Sequence, residues 1–337
     1  MRIETAVHSL SWVPSESLTG PLATGMELGV SHYDAPPPDR LDDRGQVRRM
    51  CDEDRFRFAH VLSCWVEVED GLVVAAGHGD DSGIVMGSTT VRLGPVGATF
   101  RAASLPVLRR DPVVLADEVR FVQTVGGRTG VPLPRPVPHP PFVRWLAPIV
   151  WTTLELVLRA DGTHDVSLRG ASAFPRHWVY DGSGRMVVKS GLTDQARWMA
   201  HSFGERTPWG RTDREALAVA GESELERLLS AGIMRGAERP EVRVLAAGDL
   251  LARQGEAGTD LLLVLDGVVR VEVEGAGPLG EVGPGAVLGE RALLEGGRRT
   301  ATLVAATPVR VAVVPGGAVD AARLRELAAG HRREEPA

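Results

Sequence analysis

The chain has 337 residues, of which 43% are hydrophobic and 24% are charged, a composition typical of a globular protein with room for two domains. Its net charge of −6 argues against DNA and acidic membranes as general partners, because phosphate binding needs clustered positive charge. It has no run of eighteen apolar residues and no apolar N-terminal segment, so the sequence predicts a cytoplasmic protein. Lys189 is the only lysine, a bias that we attribute to a GC-rich bacterial genome.

The cysteine and histidine patterns indicate no metal site. Cys51 and Cys64 are the only cysteines, and without a second pair we expect two reduced thiols. The nine histidines are scattered, and no catalytic motif of recognised spacing occurs. The sequence therefore predicts no metal ligand and no specific catalytic residue.

The predicted N-terminal domain, residues 1–211, is mainly β: an antiparallel barrel or sandwich with a few helices. Its first 55 residues look irregular apart from residues 9–15, which fit a first strand anchored by Trp12, and short apolar segments separated by glycine turns follow. The proline-rich residues 131–141 are predicted to form a rigid polyproline loop. Helices are expected only after residue 193, and residues 212–240 are predicted to form a helical linker with two capping-box patterns.

The segment from Val287 to Ala301 combines a glycine, a carboxylate and, ten residues after the glycine, an arginine. Glycine lets the backbone approach a ligand, and a helix that starts behind it presents unpaired N–H groups to a phosphate. Arg299 would neutralise that phosphate, and Glu290 would accept hydrogen bonds from ribose hydroxyls. The predicted ligand-binding residues are Gly289, Glu290, Arg291, Ala292, Arg299, Thr300 and Ala301.

Residues 242 to 314 resemble the cyclic nucleotide-binding domain, the β-roll module of catabolite-activator-type regulators, kinase regulatory subunits and cyclic nucleotide-gated channels. The resemblance rests on glycine turns that precede the segment just described, at Gly248, Gly255, Gly258, Gly267 and Gly285. It implies a jelly-roll fold for residues 241–330 and cyclic AMP or cyclic GMP as the ligand, with no other cofactor.

Four further residues bear on the fold or the ligand. Arg291 departs from the family, which usually has an apolar residue directly after the ribose-binding glutamate. Thr300 resembles a hydroxyl with which some members favour guanine. Asp266-Gly267, between two β-branched runs, predicts a central hairpin.

Three functions fit these patterns. In the first, ligand binding to the C-terminal β-roll modulates the N-terminal β domain through residues 212–235. In the second, the N-terminal barrel is an enzyme or a small-molecule binder, with His177, Asp181 or the His32/Asp34 loop as acid-base groups. In the third, a degenerate β-roll that binds nothing serves assembly, for example of a homo-oligomer.

Overall fold

The computed structural model describes residues 1–43, 45–203, 207–210, 218–220, 224–235, 240–275 and 277–331. It is mainly β, as the sequence predicts, and divides into two compact units. The first comprises Met1–Pro14, Leu18–Ser190 and Asp194–Ala218, and the second Ser15–Ser17, Gly191–Thr193 and Val219–Ala337. The described α-helices are α1 (Gly20–Glu27), α2 (Gln46–Asp52), α3 (Gln195–His201), α4 (Glu224–Arg235), α5 (Glu290–Leu294) and α6 (Ala321–His331).

The N-terminal strands are mostly long and antiparallel. In chain order they are β1 (Arg2–Trp12), β2 (Phe58–Glu69), β3 (Leu72–His78), β4 (Gly83–Met86), β5 (Thr89–Leu93), β6 (Val96–Phe100), β7 (Ala103–Ser104), β8 (Leu108–Arg109), β9 (Val113–Val114), β10 (Glu118–Arg128), β11 (Leu133–Pro136), β12 (Val143–Leu146), β13 (Ile149–Arg159), β14 (His164–Ala171), β15 (Arg176–Tyr180), β16 (Met186–Ser190) and β17 (Ala218–Ala220).

Two of the N-terminal sheets pack face to face. One has the order β17-β16-β15-β1-β2-β3, with β4 also on β2; in the other, β14-β13-β10 is extended by the short strands β7, β8 and β9. Side chains of both sheets share one core, in which Val7, Leu62, Phe121, Leu156 and Val179 are fully buried. The predicted antiparallel sandwich is therefore confirmed.

The start of the chain is more regular than predicted, because α1 and α2 lie in the first 55 residues and the strand indicated at residues 9–15 is the end of a longer strand, β1. Strand β1 is central, paired antiparallel with β15 on one side and β2 on the other. Its polar side chains interrupt the apolar alternation, although Ser9 and Ser11 are completely buried and His8 nearly so. The Ser11 hydroxyl is 2.6 Å from Nδ1 of His177, whereas the Ser9 hydroxyl has no hydrogen-bond partner among the described residues.

The proline-rich segment also differs from the prediction. It does not run as an isolated polyproline loop, because β11 pairs with β12 along its whole length, from Leu133 opposite Leu146 to Pro136 opposite Val143. We call this two-stranded structure, residues 131–147, the proline arm.

The predicted helical linker, residues 212–240, is helical only in part. Helix α4 is present, but Ala218–Ala220 form strand β17 next to β16. The two capping boxes, at Thr212 and Ser223, lie outside the described residues.

The second unit is a jelly roll, as predicted. Its strands are β18 (Glu241–Leu245), β19 (Leu250–Ala252), β20 (Asp260–Asp266), β21 (Val269–Val273), β22 (Gly277–Val282), β23 (Val287–Leu288), β24 (Thr302–Ala305) and β25 (Val309–Pro315). They form two four-stranded sheets, β18-β25-β20-β23 and β19-β24-β21-β22, around a shared core. The outer face of the first sheet is covered by apolar residues of α4 and α6, among them Leu229, Leu324 and Leu327.

The predicted central hairpin at Asp266-Gly267 is wrong. Strands β20 and β21 belong to different sheets, so the chain crosses from one sheet to the other at this turn. Gly267 has a φ of 83°, and a Cβ there would overlap the carbonyl of Pro308. The sequence correctly indicates the turn, but β20 is buried on both faces and pairs with the distant β25 and β23 instead of with β21.

Candidate functional site

The predicted ligand-binding segment begins at the end of β23, whose Leu288 lies opposite Leu262 of β20. Gly289 follows with a φ of 93°, a left-handed conformation that favours glycine, and caps the N-terminus of α5. The first N–H groups of a helix have no partner within it, so they remain available to other acceptors. The geometry places this turn as the sequence predicts.

Backbone hydrogen bonds hold Arg299 against the loop 253–258. The N–H of Arg299 donates to the carbonyl of Glu256 over 2.8 Å, and the carbonyl of Arg299 accepts from the N–H of Gly255, also over 2.8 Å. The N–H of Gly258 donates to Gly297 over 2.9 Å. Glycine turns far apart in the sequence therefore fix the arginine.

The guanidinium of Arg299 lies against two glycines. A Cβ added to Gly258 or to Gly289 would overlap it. Its Nη1 donates to the carbonyl oxygen of Asp260 over 2.9 Å. Within the described part of the chain, this is its only side-chain hydrogen bond, and it forms no ion pair there. Burial lowers the pKa of Arg299, whereas the nearby Asp260 and Glu290 act in the opposite direction.

The remaining predicted site residues differ in how far they are buried. Glu290 and Ala292 are buried, and Arg291, Thr300 and Ala301 are half-buried. Among the described residues, the hydroxyl of Thr300 has no hydrogen-bond partner. Arg291, at the position where the related family is usually apolar, is thus neither fully exposed nor in the core.

Two contributors to the site were not predicted as site residues. The carbonyl of Asp260 orients the guanidinium, and the absence of a side chain at Gly258 leaves room for it. The sequence contains a signal only for Gly258, as one glycine of a turn. The role of Asp260 depends on a backbone atom 39 residues from Arg299, which no local pattern reveals.

No metal site occurs in the described ranges, where no three histidine, cysteine or carboxylate side chains cluster suitably. Cys51 and Cys64 are free, as predicted. Burial raises the pKa of both thiols, so neither has the lowered pKa of a reactive cysteine.

His177, an acid-base candidate of the enzyme hypothesis, is completely buried in the sandwich. Its Nδ1 is 2.6 Å from the hydroxyl of Ser11, and its Nε2 is 2.9 Å from the carbonyl and 3.1 Å from the hydroxyl of Ser172. Burial lowers its pKa to about 4. Asp181 instead accepts hydrogen bonds from Ser183 and Arg185 in the turn after β15. This geometry gives both residues structural roles.

The second candidate pair, His32 and Asp34, belongs to a charged cluster around Arg57. The guanidinium is 3.2 Å from the buried carboxylate of Asp34 and 2.5 Å from that of Asp54, and its Nη2 is 3.3 Å from the His32 ring. The N–H of Val13 donates to the other Asp34 oxygen over 2.8 Å. Burial raises the pKa of Asp34 to about 6, although Arg57 opposes the shift. A buried ion pair explains this cluster.

Comparison with known proteins agrees with the fold of the second unit. Residues 242–325 match the model of the cyclic nucleotide-binding domain family. The chain is 32% identical over 127 residues to a cyclic nucleotide-gated potassium channel of Rhizobium etli, covering 37% of this chain and 35% of the channel. A second such channel, of Mesorhizobium japonicum, is 32% identical over 126 residues, covering 36% and 35%. The chain therefore spans about a third of the length of these channels.

Solved structures with similarity to this chain include a cyclic nucleotide-binding domain from Methylobacillus flagellatus, 25% identical over 34% of this chain and 70% of that one, with a TM-score of 0.26. Another is the N-terminal domain of a transcriptional regulator from Streptomyces coelicolor, 28% identical over 34% and 83%, with a TM-score of 0.25. These TM-scores are low, so the assignment rests on the family match. Residues 242–325 form a cyclic nucleotide-binding domain.

Among the described helices, none is both long and apolar enough to cross a membrane.

Proposed function

We propose that the protein is a cyclic nucleotide sensor in which ligand binding to the C-terminal β-roll modulates the N-terminal β domain. In this proposal the cyclic phosphate binds to Arg299 and to the N–H groups that follow Gly289, and Glu290 accepts hydrogen bonds from the ribose. Cyclic AMP and cyclic GMP are the candidate ligands. The hydroxyl of Thr300, which has no hydrogen-bond partner among the described residues, favours the guanine base, which offers it additional hydrogen-bonding groups.

The burial and the hydrogen bonding of the Arg299 guanidinium are the main support for this proposal. The guanidinium is half-buried, yet it makes one hydrogen bond and no ion pair with the described residues. Burial of a charge is costly unless it is paired, so a half-buried guanidinium with a single hydrogen bond to the described residues, next to a left-handed glycine, fits a site for an anion. A phosphate would supply two acceptor oxygens in the geometry that guanidinium prefers.

Helix α4 supports the regulatory part of the proposal. Its Leu229 packs on the sheet that carries β23, and Glu226 accepts a hydrogen bond from the N–H of Val287 over 3.2 Å. Val287 lies two residues before Gly289. A ligand-induced shift of the segment at Gly289 would therefore act directly on α4, to the extent that the ligand binds the two states with different affinity.

Calorimetry with cyclic AMP and cyclic GMP tests the proposal. We expect the wild-type protein to bind one of them, and Arg299→Ala to lose at least about tenfold in affinity, because a charged hydrogen-bond partner of the phosphate is removed. Arg298→Ala is the matched control: it removes an equal charge at the adjacent, exposed position, whose guanidinium donates to the Gly255 carbonyl.

Two results would contradict the proposal. If Arg299→Ala binds as tightly as wild type, the nucleotide is not bound at this arginine. If neither nucleotide binds the wild-type protein, the β-roll is degenerate, and the assembly hypothesis gains support. Amide hydrogen exchange of α4 with and without ligand tests the regulatory step, for which we expect a change in protection across residues 224–235.

A further inference from the structure

The proline arm exposes an entirely apolar face. Cross-strand partners share a face, so Pro134 and Pro136 lie beside Trp145 and Val143. All four side chains are exposed, Trp145 to 69%. At the turn between the strands, Phe142 is exposed to 60%. Large apolar side chains grouped in this way on a surface indicate a contact site.

On the opposite face of the arm, Arg135 contacts the rest of the same unit, while its cross-strand partner Arg144 is exposed. The guanidinium of Arg135 lies 3.4 Å from the ring centroid of Phe203 and donates to the carbonyl of Met199 over 3.2 Å. At the base of the arm, Arg128 donates to the carbonyl of Ala147 over 2.7 Å. These contacts fix the arm and leave its apolar face outward.

The proline arm carries only positive formal charge. Residues 131–147 contain two arginines, Arg135 and Arg144, and neither aspartate nor glutamate, although the whole chain has a net charge of −6. The two arginines are cross-strand partners on the face opposite Trp145, and Arg144 is exposed next to the turn that carries Phe142. Net charge alone excludes an acidic surface as a general partner, but it averages over this local segregation.

We propose that the proline arm binds an anionic lipid surface with the end that carries its turn, with Trp145 and Phe142 at the level of the headgroups and Arg144, on the opposite face of the arm, against their phosphates. Aromatic rings with neighbouring arginines suit the boundary between water and acyl chains, because one part of each side chain is apolar and the other is charged or polar. This proposal is independent of nucleotide binding.

The prolines favour a lipid surface over another β-strand as the partner. A strand that adds to a sheet edge needs N–H donors, and prolines have none, so Pro134 and Pro136 weaken β11 as an edge for pairing. The side chains, rather than the strand edge, therefore form the contact.

Co-sedimentation of the full chain with vesicles tests this inference. The vesicles contain equimolar phosphatidylglycerol and phosphatidylcholine, or phosphatidylcholine alone. We expect binding to the anionic vesicles only, weakened by salt. Trp145→Glu should reduce the partition coefficient at least about tenfold, and Arg144→Glu should reduce it by a similar factor.

Leu72→Glu is the matched control, because Leu72 is an exposed apolar residue of β3, outside the arm, at 53% exposure. It adds the same charge and should leave binding within about twofold of wild type. Thermal unfolding of each variant verifies that it is folded. The proposal is overturned if wild type does not sediment with anionic vesicles, if Trp145→Glu binds as wild type does, or if Leu72→Glu loses as much binding. In the first case, the apolar face would belong to a protein partner.

Discussion

The carboxylate of Glu226, on α4, accepts a hydrogen bond from the backbone N–H of Val287, which lies in β23 just before the candidate nucleotide site. Glu226 is buried, with 6% of its surface exposed. The bond therefore joins a helix to the start of the ligand-binding segment in an environment from which water is excluded. A backbone donor in such a position needs its partner.

We expect Glu226→Ala to lower the free energy of unfolding by about 1–3 kcal/mol, because the N–H of Val287 is left unsatisfied. Glu226→Gln retains an acceptor oxygen at the same position and should cost less. Urea denaturation measures both values. If the alanine variant is as stable as the glutamine variant, the hydrogen bond does not hold α4 to β23.

Two glycine variants distinguish the effect of displacing the Arg299 guanidinium from the effect of backbone strain. Gly289→Ala introduces both, because φ is 93° and the new methyl group would overlap the guanidinium; we expect a cost of about 1–3 kcal/mol and loss of nucleotide binding. Gly258 has no left-handed φ, so Gly258→Ala only displaces the guanidinium. It should weaken binding with a smaller loss of stability. Normal binding by Gly258→Ala would show that the position of Arg299 is unimportant.

Two buried histidines predict how stability depends on pH. Burial lowers the pKa of His60 to about 3 and that of His177 to about 4, from the usual 6.5. Below pH 6.5 the unfolded chain binds protons that the folded protein excludes. The stability is therefore present above pH 6.5 and is lost as the pH falls toward 4, by up to about 1.4 kcal/mol per pH unit for each histidine.

Urea denaturation at several values between pH 5 and pH 7 checks this slope. His177→Asn should flatten it, whatever its effect on stability at pH 7. Asp34 contributes with the opposite sign, because burial raises its folded pKa to about 6 and its stabilisation is lost as pH rises from 3.8 to 6. Asp34→Asn should therefore steepen the slope. An unchanged slope in both variants would contradict the assigned pKa directions.

The ion pair of Arg57 with Asp34 gives a further prediction. Arg57→Ala leaves the completely buried carboxylate of Asp34 without its cation, and we expect a loss of about 3–5 kcal/mol at pH 7. Arg55→Ala is the control, since Arg55 forms a 3.9 Å surface pair with Glu53 and should cost at most about 1 kcal/mol. Equal thermal transitions for the two variants would show that the buried pair is not stabilising.

Local chemistry was enough to predict much of the fold. Asp161-Gly162 and Asp70-Gly71 join the neighbouring antiparallel strands β13–β14 and β2–β3, as their turn residues indicate. A helix begins directly after Gly289, as its place in the sequence indicated, and Arg299 lies against this glycine. These features depend on one residue type in one conformation, or on a short sequence pattern.

Features that depend on distant partners could not be predicted in this way. β1 has buried serines where an isolated strand would need apolar residues, and only its neighbours β2 and β15 explain them. Asp266-Gly267 has the residues of a hairpin, but the pairing of β20 with β25 decides the outcome. No sequence pattern around Asp260 or Arg299 indicates that the Asp260 carbonyl orients the guanidinium.

The sheet crossing at Gly267 also bears on how the β-roll folds. Since β20 and β21 do not pair, β20 gains nothing from the turn that follows it and depends on the more distant β23 and β25, whereas β21 pairs with its neighbour β22. The Asp260 carbonyl and the Arg299 guanidinium lie 39 residues apart in the sequence, so this part of the candidate site forms only when both segments have assembled. In our proposal, a partially folded β-roll therefore lacks the phosphate site.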